Sequence, residues 1–167
     1  ASLPKETATR TMQEIYKEPI KAELVAQRIK EIKAGGVLAA ASLTPARVRE
    51  YYEVALDAGL DVLVIQGTVV SAEHVSTRVE PLNLKEFIAE CPVPVIVGGV
   101  ASYSTTLHLM RTGAVGVLVG VGPGHACTTR GVLGIGVPQA TAIADASAAR
   151  VQHLLETGQY CNVIADG

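Results

Sequence analysis

Short apolar runs recur along the chain, and within each run the apolar residues are nearly continuous. Five runs are rich in β-branched and small aliphatic residues, and they span residues 37–41, 61–65, 93–97, 115–119 and 162–165. A strand that is buried on both faces shows this continuous pattern, whereas a strand with one wet face alternates apolar and polar residues. The pattern therefore predicts five buried strands of a parallel sheet.

The stretches between the runs carry the signals that begin and end helices. Thr44 followed by Pro45 is typical of a helix start, and Gly59 is typical of the end of the same helix. Further helices are predicted at about 9–16, 21–33, 104–111 and 138–157. The predicted order is two helices, followed by strands that alternate with helices.

This alternation is typical of βαβ units, which occur in open doubly wound sheets and in (β/α)8 TIM barrels. The dinucleotide-binding pattern of an open sheet, with three glycines directly after the first strand, is absent. Glycines instead follow the later runs, as at Gly67, Gly98, Gly99 and Gly120, where barrel loops gather around a ligand. The expected fold class is α/β, a TIM barrel. Because a barrel has eight strands and about 250 residues, only about five βα units are present and the barrel is incomplete.

An incomplete barrel has consequences for stability. Five parallel barrel strands leave two open edges with unpaired N–H and C=O groups. An apolar sheet face of several hundred Å2 left wet costs on the order of 10 kcal/mol, which is comparable with a whole domain's stability of about 5–15 kcal/mol. We therefore expect residues 1–167 not to fold stably by themselves.

The composition excludes several classes of protein. The chain has 167 residues, of which 49% are hydrophobic and 18% charged, and its net charge is −2. Such a chain is too apolar to be disordered, and its even charge balance predicts neither a nucleic-acid partner nor an anionic membrane surface. No apolar stretch is long enough to span a bilayer. Three cysteines, an odd number, favour a reducing cytoplasm over a disulfide framework.

The stretch that most strongly suggests catalytic chemistry lies at residues 121–130, directly after the fourth run. Its sequence is Val-Gly-Pro-Gly-His-Ala-Cys-Thr-Thr-Arg. Arg130 lies three residues beyond Cys127, and a nearby cation lowers a cysteine pKa and favours the nucleophilic thiolate. Cys91 and Cys161 precede their strands, which places them at the amino ends, the stability face of a barrel. Cys127 follows its strand and is therefore the candidate nucleophile at the catalytic face.

Three segments, 122–130, 134–143 and 163–167, together resemble the IMP dehydrogenase / GMP reductase family. The resemblance runs from about Val37 to the end of the chain, and it implies that the chain represents about strands 3 to 7 of a single catalytic barrel domain. Residues 64–71 and 108–113 are most similar to the IMP dehydrogenase-related branch without the CBS regulatory module. Nothing ahead of Val37 resembles a CBS domain, which agrees with a similarity to this branch.

The resemblance implies a reaction of guanine nucleotide biosynthesis, the oxidation of IMP to XMP with NAD. Cys127 would attack C2 of the hypoxanthine ring, a hydride would leave to NAD, and water would release XMP from a covalent thioimidate. Thr129 would assist water activation. Asp166 would bind the ribose hydroxyls, and Gly167 would begin the segment that meets the phosphate. A carboxylate can accept two hydroxyl donors, and backbone N–H groups in glycine turns bind phosphate.

The resemblance also implies a potassium site and a dinucleotide site. The backbone carbonyls of Gly122, Gly124 and Cys127 correspond to the loop that holds a monovalent cation, usually K+. The residues that correspond to the family's dinucleotide-binding segments are Gln66, Gly67, Thr68, Gly98 and Gly99.

The chain departs from the family at three of its predicted site positions. Gln66-Gly67-Thr68 stands where the dehydrogenases usually have Asp-Ser-Ser, whose aspartate contacts the nicotinamide ribose. Gly99 replaces an asparagine near the purine. His125 replaces a serine that binds the phosphate, and a protonated histidine can also meet a phosphate.

Two alternatives remain beside the dehydrogenase. GMP reductase shares the Cys-Thr-Thr-Arg loop and runs a reductive deamination with NADPH, although Pro-Gln-Ala-Thr-Ala-Ile at 138–143 is more similar to the dehydrogenases. A non-catalytic purine-nucleotide-binding paralogue is the second alternative, because of the Gln66, Gly99 and His125 departures. The family resemblance alone predicts a homotetramer.

Overall fold

A computed structural model describes residues 4–67, 70 and 81–167. The described helices are α1 (Lys5–Ile15), α2 (Ala22–Ala34), α3 (Val48–Asp57), α4 (Leu84–Glu90), α5 (Tyr103–Met110), α6 (Thr129–Leu133) and α7 (Gln139–Thr157). The described strands are β1 (Ala40–Leu43), β2 (Val62–Gln66), β3 (Val95–Val100), β4 (Gly116–Val119) and β5 (Asn162–Ala165), and a 3-10 turn covers Pro45–Arg47. The predicted order of elements is confirmed, with the short helix α6 as an addition.

The described strands form one parallel sheet in the order β1-β2-β3-β4-β5. A doubly wound sheet reverses its strand order at a switch point, whereas a barrel adds each strand beside the last. In a flat sheet β2 and β5 would lie about 14 Å apart. Gln66 Nε2 nevertheless lies 2.9 Å from Asp166 Oδ2 just beyond β5. The sheet is therefore curled, and the incomplete α/β barrel expected from the sequence is confirmed.

The core lies between the sheet and the helices that connect its strands. Leu63 and Ile65 of β2 are fully buried, while Val62, Val64 and Gln66, which alternate with them, are half-buried. The continuous apolar pattern predicted burial of both faces. Among the described residues, the side chains of β2 that face the helices are fully buried. Those that face the inside of the sheet are only half-buried.

The first strand begins later than the apolar pattern predicts. Val37 and Leu38 are 59% and 75% exposed, and the ladder to β2 begins at Ala40, which pairs with Val62. The carboxylate of Asp61 accepts a hydrogen bond from Ala39 N at 2.7 Å, which ties the start of β1 to β2. With this register β1 ends at Leu43, two residues beyond the apolar run, so the polar Ser42 lies within the strand. No described helix is long and apolar enough to cross a membrane.

Candidate active site

The loop between β4 and α6 runs along the carboxyl edge of the sheet. Gly120 N donates to Val100 O at 2.8 Å, so the loop leaves from beside the end of β3. Cys127 N donates to Gly124 O at 3.1 Å, which closes a tight turn, and α6 begins two residues later. The cysteine is half-buried in this turn.

The surroundings of Cys127 favour its thiolate. The sulphur lies 3.2 Å from Thr129 Oγ1. Hydrogen bonds from the side chain and the backbone N–H of Thr129 lower the pKa of Cys127, and the charge of Arg130 adds a smaller effect in the same direction against the opposing effect of burial. The predicted direction is therefore present, but Thr129 rather than Arg130 is its main cause.

Arg130 has a second function in the loop. Its Nη1 donates to the carbonyl oxygens of Gly122 and, at 3.3 Å, of Gly124. These two oxygens converge on one positive charge, which is the arrangement that a monovalent cation also requires. A potassium ion at this position would have to displace the guanidinium, and potassium binding stays a prediction.

The other two cysteines lie at the opposite edge of the sheet. Cys91 ends α4, four residues before β3. Cys161 precedes β5 and is buried, with its sulphur 3.2 Å from Ala114 O. Burial raises the pKa of Cys161 to about 11, so this thiol stays protonated and unreactive at neutral pH. Their predicted position at the amino ends of strands is confirmed.

A cavity of about 520 Å3 opens beside Cys127 at the carboxyl ends of the described strands. This volume lies within the ordinary range of small-molecule sites, roughly 300–1,000 Å3. The cavity is lined by Ser42, Thr44, Gln66, Gly67, Gly99, Gly120, Gly122, Pro123, Gly124, Cys127, Thr129, Asp166 and Gly167. The carboxyl-end location is where barrel enzymes place their active sites.

Asp166 and Gly167 are brought to this cavity by the last described strand pair. Asp166 N donates to Val119 O at 2.9 Å, which fixes the backbone of Asp166 beside the start of the cysteine loop. Gly167 has φ +112°, and a Cβ there would lie 2.6 Å from Pro123 Cγ. The glycine therefore permits a close approach that a side chain would prevent.

The proposed dinucleotide residues are only partly gathered. Gly67 and Gly99 line the cavity, and Gly99 N donates to Gly67 O at 2.9 Å. These two residues contribute no side chain to this wall of the cavity. The amide of Gln66 is engaged with Asp166 rather than free.

Two of the described site residues predicted from the sequence do not line the cavity. Gly98 does not line the cavity; a Cβ there would lie 2.5 Å from Leu118 Cβ, so this glycine serves the packing of β3 on β4. His125 is exposed on the loop and does not line the cavity either. Thr68 falls outside the described residues.

Sequence reasoning missed Ser42 and Thr44 as cavity residues. Thr44 was predicted to cap a helix, but its side chain makes no capping hydrogen bond and lines the cavity instead. The available signal was position, because Ser42 and Thr44 stand at the carboxyl end of the first apolar run. Among the described residues, no group of three or more acidic, histidine or cysteine side chains could hold a metal ion.

Comparison with known proteins agrees with this geometry. Residues 6–167 match the family described as IMP dehydrogenase / GMP reductase domain. An uncharacterized oxidoreductase of Mycobacterium tuberculosis is 50% identical over 163 residues, which are 96% of this chain and 44% of the relative. Inosine-5'-monophosphate dehydrogenase of Haemophilus influenzae is 44% identical over 119 residues, which are 71% of this chain and 22% of that enzyme.

A solved structure is similar over nearly the whole chain. The crystal structure of an IMP dehydrogenase/GMP reductase-like protein from Corynebacterium glutamicum has a TM-score of 0.86 and 50% sequence identity, and the match covers 97% of this chain and 42% of that one. The chain thus spans less than half the length of these relatives. With a family match over almost its full length and a cysteine loop at the carboxyl edge of a curled parallel sheet, the chain belongs to the IMP dehydrogenase / GMP reductase family of oxidoreductases.

Proposed function

We propose that the protein is an IMP dehydrogenase, which oxidises IMP at C2 to XMP and reduces NAD+ to NADH. The observation that carries this proposal is the thiol of Cys127, whose pKa is lowered and which lines a cavity shared with Asp166. A nucleophile at that place suits an attack on an electron-poor ring carbon. Thiolate chemistry would serve no purpose in a protein that only binds a nucleotide.

Cys127 performs the first covalent step. Its thiolate adds to C2 of the hypoxanthine ring, a carbon–sulphur bond forms, and the C2 hydrogen leaves with its electron pair as hydride. NAD+, when bound, supplies the acceptor for this hydride. We place its nicotinamide ring beside Gly67 and Gly99, which line the cavity without a side chain of their own.

Hydrolysis completes the cycle. Water attacks the same carbon of the covalent adduct, the carbon–sulphur bond breaks, and the sulphur leaves as a thiolate while XMP is released with one proton. Thr129 Oγ1, 3.2 Å from the sulphur, is placed to hydrogen-bond the leaving thiolate and to orient the water.

The nucleotide is anchored away from the reacting carbon. Asp166 presents a carboxylate to the ribose hydroxyls, and the glycine backbone from Gly167 onward meets the phosphate. His125, exposed on the loop, is our proposed further contact to the phosphate.

The cysteine loop is also our proposed site for potassium. The carbonyl oxygens of Gly122, Gly124 and Cys127 would hold the ion, which supplies no redox or acid–base chemistry and only orders the loop. Arg130 holds two of these oxygens in the structure, so the guanidinium and the ion compete for them. A homotetrameric assembly stays a prediction.

The test is a pair of assays on the full-length protein. IMP with NAD+ is expected to give NADH, which is followed by its absorbance, and GMP with NADPH is expected to give no oxidation of NADPH. The reverse pattern would assign GMP reductase, and silence in both assays with tight IMP binding would assign a non-catalytic paralogue.

A variant links turnover to the proposed nucleophile. Cys127→Ala is expected to lower kcat by at least about 10³-fold, while IMP binding measured by calorimetry stays within a few-fold, because binding depends on Asp166 and loop amides. The matched control is Cys91→Ala, which alters a half-buried thiol at the opposite edge of the sheet. Retention of more than a few per cent of activity by Cys127→Ala would contradict the mechanism.

A further inference from the structure

Gln66 and Asp166 join two strands across the mouth of the curled sheet. Gln66 ends β2 and Asp166 directly follows β5, and Gln66 Nε2 donates to Asp166 Oδ2 at 2.9 Å. The other end of the amide, Oε1, accepts from Ser42 Oγ on β1 at 3.4 Å. Ser42 thus orients the amide so that its NH2 group faces the carboxylate.

The sheet fixes the backbones of both residues but not the carboxylate. Gln66 is paired with Gly98 in the ladder, and Asp166 N is bonded to Val119 O. The side chain of Asp166 is exposed, so without a partner its carboxylate would populate several rotamers. A hydrogen bond to an ionised acceptor is stronger than a neutral one, and it therefore selects one rotamer at the cavity wall.

We propose that Gln66 is a positioning residue for the nucleotide: it holds one oxygen of Asp166 so that the carboxylate presents its remaining acceptor sites to the ribose hydroxyls. This inference rests on the proposed function, because it takes Asp166 as the ribose ligand. It assigns Gln66 to the substrate nucleotide rather than to the dinucleotide, the role implied by the family resemblance.

The chemistry of the pair favours a hydrogen-bond donor over a carboxylate at position 66. A glutamate there would place two carboxylates within hydrogen-bond distance, where like charges disfavour each other. One of them would take up a proton or turn away, and Asp166 would lose its fixed orientation. A neutral donor avoids both outcomes.

The test measures binding directly, in the full-length protein, by calorimetry. Gln66→Met keeps the length of the side chain and removes the donor, and we expect about tenfold weaker binding of IMP. The loss of affinity for 2′-deoxy-IMP should be much smaller, because this ligand already lacks one of the hydroxyls that donate to Asp166. In a double-mutant cycle, Gln66→Met should add little to Asp166→Ala, because Gln66 acts only through the carboxylate that the second change removes.

Two further variants keep the test decisive. Gln66→Glu, which should weaken IMP binding at least as much as Gln66→Met, serves if the latter fails to fold in a thermal melt. The matched control is Gln152→Met on α7, which removes the same kind of bond, from Gln152 Nε2 to Glu156 Oε1 at 2.9 Å, away from the cavity. It should leave IMP binding unchanged.

Other results would overturn the proposal. Unchanged IMP binding by Gln66→Met, or an equal loss for IMP and 2′-deoxy-IMP, would exclude a role through Asp166 and leave the proposed function standing. A raised KM for NAD+ with unchanged IMP binding would return Gln66 to the dinucleotide site. No IMP binding by the unaltered protein would overturn the proposed function, and this inference with it.

Discussion

The sulphur of Cys127 lies 3.2 Å from the hydroxyl oxygen of Thr129, two residues further along the chain. Both the hydroxyl and the backbone N–H of Thr129 stabilise a negative charge on the sulphur, and together they lower the pKa of Cys127 more than the guanidinium of Arg130 does. A hydrogen bond that favours the charged form of a group lowers its pKa when the group is an acid. The nucleophile and the residue that tunes it are therefore parts of one short segment.

Thr129→Val removes the hydroxyl and keeps the shape of the side chain. We expect the pKa of Cys127 to rise, so that the alkylation of Cys127 by iodoacetamide needs a higher pH, because only the thiolate reacts. Turnover should fall roughly 10²-fold, the usual contribution of a positioned proton donor or acceptor. The measurements are the pH profile of alkylation, read by mass spectrometry, and kcat with IMP and NAD+.

The control for this change is Thr128→Val. Thr128 is exposed, and its side chain makes no capping hydrogen bond to α6. The Thr128→Val variant should keep both the alkylation profile and the kcat of the unaltered protein. An unaltered alkylation profile in Thr129→Val would show that Thr129 does not tune the thiol.

Cys161 should behave in the opposite way to Cys127. Burial raises its pKa to about 11, so at about pH 8 it is a neutral thiol, whereas the pKa of Cys127 is lowered. In the folded protein we expect alkylation at Cys127 and protection of Cys161 until denaturant is added. Peptide mapping before and after urea checks this, and rapid labelling of Cys161 in the native protein would contradict it.

The same thiol makes stability depend on alkaline pH. An unfolded cysteine loses its proton above its ordinary pKa of 9.0, while folded Cys161 keeps it until about 11. Between these two values the unfolded state binds fewer protons than the folded state. The contribution of Cys161 to the free energy of unfolding is therefore complete below pH 9.0 and is lost as the pH rises toward 11. Urea unfolding across this window should show a smaller decline in Cys161→Ala than in the unaltered protein.

The parts of the site that are local in sequence could be predicted from the sequence. Cys127 follows a continuous apolar run and stands among glycines and Pro123, which fixes its edge of the sheet without knowledge of the rest of the fold. The positions of Cys91 and Cys161 ahead of their strands follow from the same argument. In a parallel sheet all strands run in the same direction. A residue that precedes a strand therefore lies at the amino edge of the sheet, and one that follows a strand lies at the carboxyl edge.

The parts that depend on closure of the sheet could not be predicted. The bond between Gln66 and Asp166 joins residues 100 positions apart, and it exists only because the sheet curls. Gln66 was therefore assigned to the dinucleotide by its counterpart in the family. Ser42 entered the cavity because pairing with β2 sets the register of β1, whereas the apolar pattern placed that strand too early. The helix α6 spans five residues, too few to show a helical period.

Potassium dependence should respond to Arg130. Its guanidinium holds the carbonyl oxygens of Gly122 and Gly124, so the proposed potassium ion would compete with it for them. Arg130→Met frees both oxygens, and the half-saturating K+ concentration should fall roughly tenfold, since apparent affinity scales with the competent fraction. The measurement is the steady-state rate against KCl at constant ionic strength.

The control for Arg130→Met is Arg150→Met, which alters an arginine that stacks on Tyr160 on another part of the surface. Its potassium response should match that of the unaltered protein. An unchanged half-saturating concentration in Arg130→Met, or a higher one, would contradict competition between the guanidinium and the ion.

The contact between Gly167 and the cysteine loop offers a test with a matched pair of glycines. Gly167 and Gly158 both have positive φ, +112° and +71°. A Cβ on Gly167 would lie 2.6 Å from Pro123 Cγ and 3.2 Å from Gly124 N, whereas a Cβ on Gly158 would meet nothing within 4 Å. Both changes put an alanine at a positive φ that L side chains rarely adopt, which for the left-handed Gly158 costs about 1–2 kcal/mol, but only the change at Gly167 collides with the loop.

Gly167→Ala should therefore damage the site beyond its effect on stability. We expect the loop to shift away from Asp166, with a KM for IMP raised roughly tenfold, the effect of losing about 1.4 kcal/mol of binding, and with a changed rate of Cys127 alkylation. Gly158→Ala, at the end of α7, should lower the melting temperature but leave both quantities unaltered. Thermal melts, IMP kinetics and iodoacetamide labelling of the two variants separate the effects. Equal KM values in the two variants would mean that close contact between Gly167 and Pro123 does not shape the nucleotide site.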